Sequence, residues 1–167
     1  MLADALARFL LADDAAAAIR AELALYAGEP AVFTTEIPED AALPAISIIE
    51  VGGPRWGMRD TKGAVAHADV QLIGDKDANA TDLGELADAL RTLLHRCDLD
   101  PYVEGADAIW CFADPPKDTQ AGLGFPGCTI SVQALLLAAG GWRFLLNPAG
   151  LNVFNPSGKR ILVPEAA

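Results

Sequence analysis

Apolar residues recur along the chain with two different periods, and these periods divide it into helices and strands. Near the start, apolar side chains repeat at helical spacing at Leu2, Leu6, Phe9 and Leu10. Asp13 can cap a second apolar stretch that continues to Tyr26 before Gly28 ends it. The pattern therefore predicts one broken helix or two at the start of the chain.

Two strands with different patterns come next. Residues 45–51 are rich in β-branched side chains, which is typical of a mostly buried strand. A loop is predicted from Gly52 to Gly63. Residues 64–73 then alternate strictly, which predicts a half-buried strand. Its apolar face carries Ala66, Ala68, Val70 and Leu72, and its polar face carries His67, Asp69 and Gln71.

The second half of the chain adds a helix and two more strands. Apolar positions follow the helical period from Asp82 to Cys97, with Thr81 or Asp82 as the cap. Strands are predicted at 108–113 and 128–137. The order α-β-β-α-β-β predicts an α/β (α+β) fold, in which helices lie on one side of a mixed, mainly antiparallel sheet.

The last segment has a different texture. After Gly140 and Gly141, three short apolar runs (142–146, 151–154 and 160–163) are separated by two Asn-Pro-x-Gly turns. We therefore divide the chain into one core domain at 1–140 and a C-terminal extension of short strands at 141–167, a β-meander or an arm. Because short isolated strands are marginal in water, we expect the extension to lie against a neighbouring subunit.

Composition narrows the function. The 167 residues are 52% hydrophobic, and 12 basic against 23 acidic residues give a net charge of -11. A chain this acidic repels the phosphate backbone of nucleic acids, so no specific nucleic-acid binding is expected. The apolar content favours self-association. The N-terminus lacks the features of a signal peptide, and no membrane-spanning segment is predicted, so we expect a cytoplasmic chain.

The motifs that resemble catalytic or cofactor sites do not withstand inspection. Residues 122–127 match G-x-G-x-x-G, but Pro126 lies within the motif and a strand follows it. His95 and the three cysteines lack the paired spacing of zinc ligands. His67 and Asp69 share a strand face without a nucleophile motif beside them. We predict no catalytic residues, no metal and no organic cofactor.

The segment between the first two predicted strands is the most informative part outside the core. It combines large contact residues with basic ones, and Trp, Met and Arg are enriched at protein interfaces. We predict that it is a docking loop rather than a loop folded onto its own core. The candidate interface residues are Arg55, Trp56, Met58, Arg59 and Lys62 in this segment, His67, Asp69 and Gln71 on the polar strand face, and Trp142, Phe144 and Phe154 in the extension.

The order of these elements and their hydrophobic patterns are similar to those of a known family. A helical start, Leu43-Pro-Ala-Ile-Ser-Ile-Ile, a long loop, an alternating strand and a helix ending Leu90-Arg-Thr-Leu-Leu-His resemble the tail terminator and tail completion proteins of tailed bacteriophages. Cys97-Asp-Leu-Asp-Pro-Tyr and the paired strands after it fit the same pattern. The resemblance covers about residues 1–137.

This resemblance implies a structural protein of the virion that is assembled in the host cytoplasm. It implies a homo-oligomeric ring, typically of six, that caps the head-proximal end of the tail tube, stops tube polymerisation and meets the neck proteins. DNA would pass through the ring. A neck or head-closure ring protein and a tail tube subunit are alternatives of the same class. A small cytoplasmic enzyme or ligand-binding protein that uses His67, Asp69 and Gln71 is the alternative from another class.

Overall fold

The fold is described from a computed structural model, which covers residues 1–52, 55–58, 61–77, 79–121, 125–138, 142–144 and 162–164. For residues 55–58, 61–64, 80, 120–121, 138, 142–144 and 162–164 the description is of the backbone.

Two short helices open the chain, as predicted. Helix α1 (Leu2–Ala12) is followed by a 3₁₀ turn (Asp14–Ala16) and helix α2 (Ala17–Glu22). The Asp13 side chain accepts a hydrogen bond from the Ala15 N–H at 2.8 Å and so caps the new turn. The second helix ends at Glu22 and does not reach Tyr26. Its continuation is extended because the Ala24 N–H donates to the Pro44 carbonyl instead of to the helix.

Most strands join one sheet. In chain order they are β1 (Leu25–Tyr26), β2 (Glu29–Pro30), β3 (Val32–Phe33), β4 (Ala45–Glu50), β5 (Arg55–Met58), β6 (Thr61–Ile73), β7 (Ala106–Ala113), β8 (Lys117–Ala121), β9 (Phe125–Ala138), β10 (Trp142–Phe144) and β11 (Leu162–Pro164). The main sheet has seven strands along the path β3-β4-β6-β9-β7, with β5 also paired to β6 and β8 to β9. Among the described strands of this sheet only β3 and β4 pair in parallel, so the prediction of a mixed, mainly antiparallel sheet is confirmed.

One face of this sheet carries the core. The strand registers align Ile48 with Val70 and Val70 with Ile130, and all three side chains are fully buried. Helices α1 and α3 (Ala80–Leu94) pack on this face through Leu6 and Leu90. The face is therefore covered by helices.

Helix α3 lies earlier in the sequence than predicted. Asn79 is its N-cap, since the Asn79 side chain accepts a hydrogen bond from the Thr81 N–H at 3.1 Å. The helix ends at Leu94, so Cys97 is not on its apolar stripe. Instead Arg96 adopts a left-handed backbone conformation (φ 68°), and its N–H donates to the Cys111 carbonyl. This turn brings Cys97 beside β7, at the edge of the core.

The connector after α3 also covers the outer edge of β7. Besides the Arg96 bond, the Ala113 N–H donates to His95 Nδ1 at 3.4 Å and the Ala108 N–H donates to Asp100 Oδ1 at 2.9 Å. An edge strand with unpaired backbone groups is a site for unwanted strand pairing. These three bonds therefore close this edge of the sheet.

The structure departs from the predicted order at two segments after β4. The predicted loop at 52–63 contains strand β5, which forms a hairpin with the start of β6, so β6 begins at Thr61 rather than Ala64. Strand β8 was not predicted, because its sequence Lys-Asp-Thr-Gln-Ala has no apolar period. In the extension, β10 pairs antiparallel with β11. The middle apolar run, with Phe154, lies outside the described residues.

Candidate functional site

The second face of the main sheet, here called the open face, carries the predicted polar strand positions. The register sets His67 opposite Gln133, Asp69 opposite Ser131, and Gln71 opposite Thr129. All six side chains are half-buried. They form a polar stripe, defined as His67, Asp69, Gln71, Thr129, Ser131 and Gln133, along the two central strands.

The hydrogen bonds of the polar stripe do not form a catalytic arrangement. The Ser131 hydroxyl donates to Asp69 Oδ1 at 2.8 Å, so Asp69 is engaged across the sheet and not with His67. His67 Nε2 is buried and has no hydrogen-bond partner within the described part of the chain. A histidine base needs an orienting partner and a group to deprotonate. The structure brings His67 and Asp69 to one face without pairing them as base and carboxylate.

Apolar side chains flank the polar stripe on both sides. On β4, Ile49 lies opposite Asp69 with 38% of its surface exposed, and Val51 just beyond the strand is 52% exposed. On β7, Phe112 is 39% exposed, and its ring centroid lies 5.0 Å from that of Trp110. We call Ile49, Val51, Trp110 and Phe112 the apolar margins. Exposed aromatic and aliphatic side chains around a polar centre are typical of a protein interface.

The basic, aromatic segment predicted as a docking loop is the β5–β6 hairpin. Arg55, Trp56 and Met58 lie on β5, and Lys62 lies opposite Gly57 on β6. The hairpin lies on the same side of β6 as β4, beyond the end of that strand. Arg59 is outside the described residues.

Two of the remaining predicted interface residues lie in the described part of the extension. Trp142 and Phe144 belong to β10, where they pair with Pro164 and Leu162. The hairpin and the polar stripe share β6 but occupy different parts of it. The structure therefore groups His67, Asp69 and Gln71 closely, and Arg55, Trp56, Met58 and Lys62 separately.

Sequence reasoning missed the apolar margins. The signal was present on β4, where Ile48 and Ile49 are both apolar although their side chains point to opposite faces of the sheet. A strand that is apolar on both faces is expected to be covered on both. In the described structure only one of these faces carries helices.

The cysteines belong to the core side of the fold. A hydrogen bond to Cys111, together with burial, raises the pKa of the Cys97 thiol. Burial is also the main cause of the raised pKa of Cys128, and the nearby Asp118 carboxylate adds to it. Both thiols are therefore poor nucleophiles. No group of three potential metal ligands occurs in the described ranges, and no described helix is long and apolar enough to cross a membrane.

Fold and site together define a small α+β structural subunit with one covered and one open sheet face. The chain matches the model of the family "Tail completion protein gp17" over residues 4–134. Because this match covers most of the chain, the chain belongs to the tail completion protein gp17 family. It is a structural protein of a phage tail, a component of the virion, and not an enzyme. The enzyme alternative raised from His67, Asp69 and Gln71 is therefore wrong.

A solved structure supports the fold. The chain is similar to a chain in the structure "Virion of native gene transfer agent (GTA) particle", with a TM-score of 0.58 and 20% sequence identity. The alignment covers 82% of this chain and 95% of that chain. At this identity the likeness shows a shared fold. No curated protein matches the sequence.

Proposed function

We propose that the chain forms a closed ring, of six copies, at the head-proximal end of the tail tube, where it stops tube polymerisation and joins the tube to the neck. Family membership supports a role in completing the tail. The observation that carries the proposal is the open face. The subunit has a finished core on one side of its sheet, and yet Ile49, Val51 and Phe112 remain exposed on the other.

We assign the contacts of this ring and of its neighbours to the predicted interface residues and to the apolar margins. The predicted residues are Arg55, Trp56, Met58, Arg59, Lys62, His67, Asp69, Gln71, Trp142, Phe144 and Phe154. A half-buried polar stripe supplies directional hydrogen bonds, and the margins supply apolar area. Together they suit an obligate assembly.

The acidity of the chain fits a channel for DNA. Each copy carries a net charge of -11, so a ring multiplies this charge around its axis. A negatively charged wall repels phosphate and prevents DNA from adhering to it. We propose that DNA passes through the ring without specific contacts.

The C-terminal extension, 141–167, is proposed to contact a neighbouring subunit. Strands of three residues, such as β10 and β11, are too short to be stable alone. A variant that lacks residues 142–167 should keep the circular dichroism of the core but lose assembly. An insoluble or molten variant would instead place the extension in the subunit's own core.

Polymerisation of the tube protein from the same phage tests the function directly. Tubes grown with this chain present should stop growing and carry one ring at a single end in negative-stain images. Glu85→Lys, a charge variant on α3 at the covered side of the sheet, is the control and should cap tubes as well as the native chain does. Incorporation along the tube would indicate a tube subunit. Binding to the head connector without binding to tubes would indicate a neck protein.

A further inference from the structure

Charge is segregated along this chain. Residues 21–54 hold six acidic residues and no basic residue, namely Glu22, Glu29, Glu36, Glu39, Asp40 and Glu50. The adjacent hairpin, residues 55–62, holds three basic residues and one acidic residue. Two neighbouring stretches of sequence therefore carry opposite charge.

Part of the acidic stretch, residues 26–33, lines a hollow of about 370 Å³ together with Leu11. Tyr26 and Phe33 line it with their rings packed edge to face, 5.4 Å between centroids. Glu29 is also part of the lining, and the Asp40 carboxylate lies 3.5 Å from the Tyr26 hydroxyl. Leu25, on the neighbouring strand β1, is 65% exposed. We call this the acidic hollow.

Among the described residues, the ion pairs do not involve the carboxylates at the acidic hollow. In the described part of the chain, the side-chain ion pair is that of Arg8 with Glu104, far from residues 22–40 in sequence, and Met1 pairs with Asp4 and Glu50. Arg20, the nearest basic residue in sequence, donates to the backbone carbonyls of Leu10 and Asp13. Glu29 and Asp40 are exposed with no basic side chain bonded to them in these ranges.

The hairpin cannot reach the acidic hollow of its own subunit. Strand β3, which lines the hollow, pairs with β4 at Ile46, and Ile46 pairs with Leu72 of β6. The hairpin instead lies at Thr61, eleven residues away on the same strand. At the rise of an extended strand this distance is about 35 Å. The basic and the acidic surfaces therefore lie at opposite ends of the sheet.

We propose that the β5–β6 hairpin of one copy docks into the acidic hollow of the next copy of this chain. This inference rests on the proposed ring and names its subunit contact. Arg55 and Lys62 supply positive charge for Glu29 and Asp40, and Trp56 and Met58 supply apolar area for Tyr26 and Phe33. Because the two surfaces differ and lie far apart, the contact is heterologous, and such contacts close into rings when the rotation permits.

Complementary charge reversal tests this contact. One variant carries Arg55→Glu and Lys62→Glu, and the other carries Glu29→Lys and Asp40→Lys. Each variant alone places like charges together and should weaken the affinity of assembly at least tenfold, measured by sedimentation velocity. If rings form only on tube ends, the affinity for tube ends is measured instead. An equimolar mixture restores every contact in alternating order, so it should assemble into rings with an even number of subunits.

A control and a second measurement keep the test decisive. Asp82→Lys with Glu85→Lys on α3 makes the same change of charge outside the hollow and should leave assembly unchanged. In native protein mixed from ¹⁴N and ¹⁵N chains, a carbodiimide should join Lys62 to a carboxylate of residues 22–40 in peptides of mixed label, which needs no variant to fold.

The outcomes separate the two proposals. If the native chain forms rings but the mixture of the two variants does not assemble, the hairpin contact is overturned and the proposed ring stands. The same holds if the native rings form but Lys62 cross-links to carboxylates outside residues 22–40. A native chain that stays single both alone and with tubes would overturn the ring and the contact together.

Discussion

The two faces of the main sheet follow different rules although they share every strand. On the covered face, Ile48, Val70 and Ile130 are fully buried under helices. On the open face, the neighbouring positions Ile49, Asp69 and Ser131 combine an exposed aliphatic side chain with a hydrogen-bonded polar pair. One face stabilises the subunit, and the other is the face that we propose for association. Alternation along a strand lets a chain of this size separate the two tasks residue by residue.

Adjacent isoleucines on β4 give the sharpest way to break this comparison. Ile48→Ala should lower the free energy of unfolding by about 3 kcal/mol, because it leaves a cavity in a tightly packed core. Ile49→Ala should lower it by about 1 kcal/mol or less, since that side chain is 38% exposed. Urea unfolding of the two variants measures both values. Equal losses would mean that the open face is part of the subunit's own core.

The hairpin provides the next largest effect. Trp56→Ala should weaken assembly by about 2 kcal/mol or more, the scale of an interface hot spot, while leaving the subunit folded. Sedimentation velocity and urea unfolding of the same variant separate association from stability. If the variant assembled normally but unfolded at much lower urea, the hairpin would belong to the core.

The hydrogen bond between Asp100 and the Ala108 N–H tests whether the connector after α3 protects the edge of β7. Asp100→Ala removes the acceptor for the Ala108 N–H and should cost about 1 kcal/mol of stability. It should also speed hydrogen exchange at the Ala108 amide. Asp100→Asn keeps a side-chain oxygen and is the matched control. Unchanged exchange in the alanine variant would show that the bond does not close the edge.

We expect the smallest effect on stability from the thiols, and this effect depends on pH. The raised pKa of Cys97 means that folding favours its neutral form, so its contribution to stability is present below the ordinary value of 9.0 and is lost as the pH rises above it. At pH 8 a disulfide reagent should label the native cysteines at least tenfold more slowly than the urea-unfolded chain. Rapid labelling of Cys97 in the folded protein would contradict its position beside Cys111.

Parts of this architecture could be predicted from sequence because their patterns are local. The strict alternation from Ala64 to Ile73 assigned His67, Asp69 and Gln71 to one face, and the structure confirms it. The fold class followed from the order of the strong elements.

Other parts depend on contacts that no local pattern shows. Strand β8 is polar throughout and is extended because it pairs with β9. Helix α2 stops early because Ala24 bonds to Pro44, twenty residues away. The apolar margins were missed because they come from two strands that are distant in sequence, with Ile49 on β4 and Phe112 on β7, and become one surface only when the sheet forms. Long-range pairing between strands, and not local propensity, therefore determines the structure of these segments.

The mass of the assembly in solution, measured by native mass spectrometry with and without tube ends, tests the central claim most directly. We expect one closed species at six times the 17.5 kDa of a single chain, and we expect Ile49→Lys on the open face to reduce it while Glu85→Lys does not. A single 17.5 kDa chain at every concentration, alone and with tubes, would contradict the claim that the open face and the hairpin exist to build a ring.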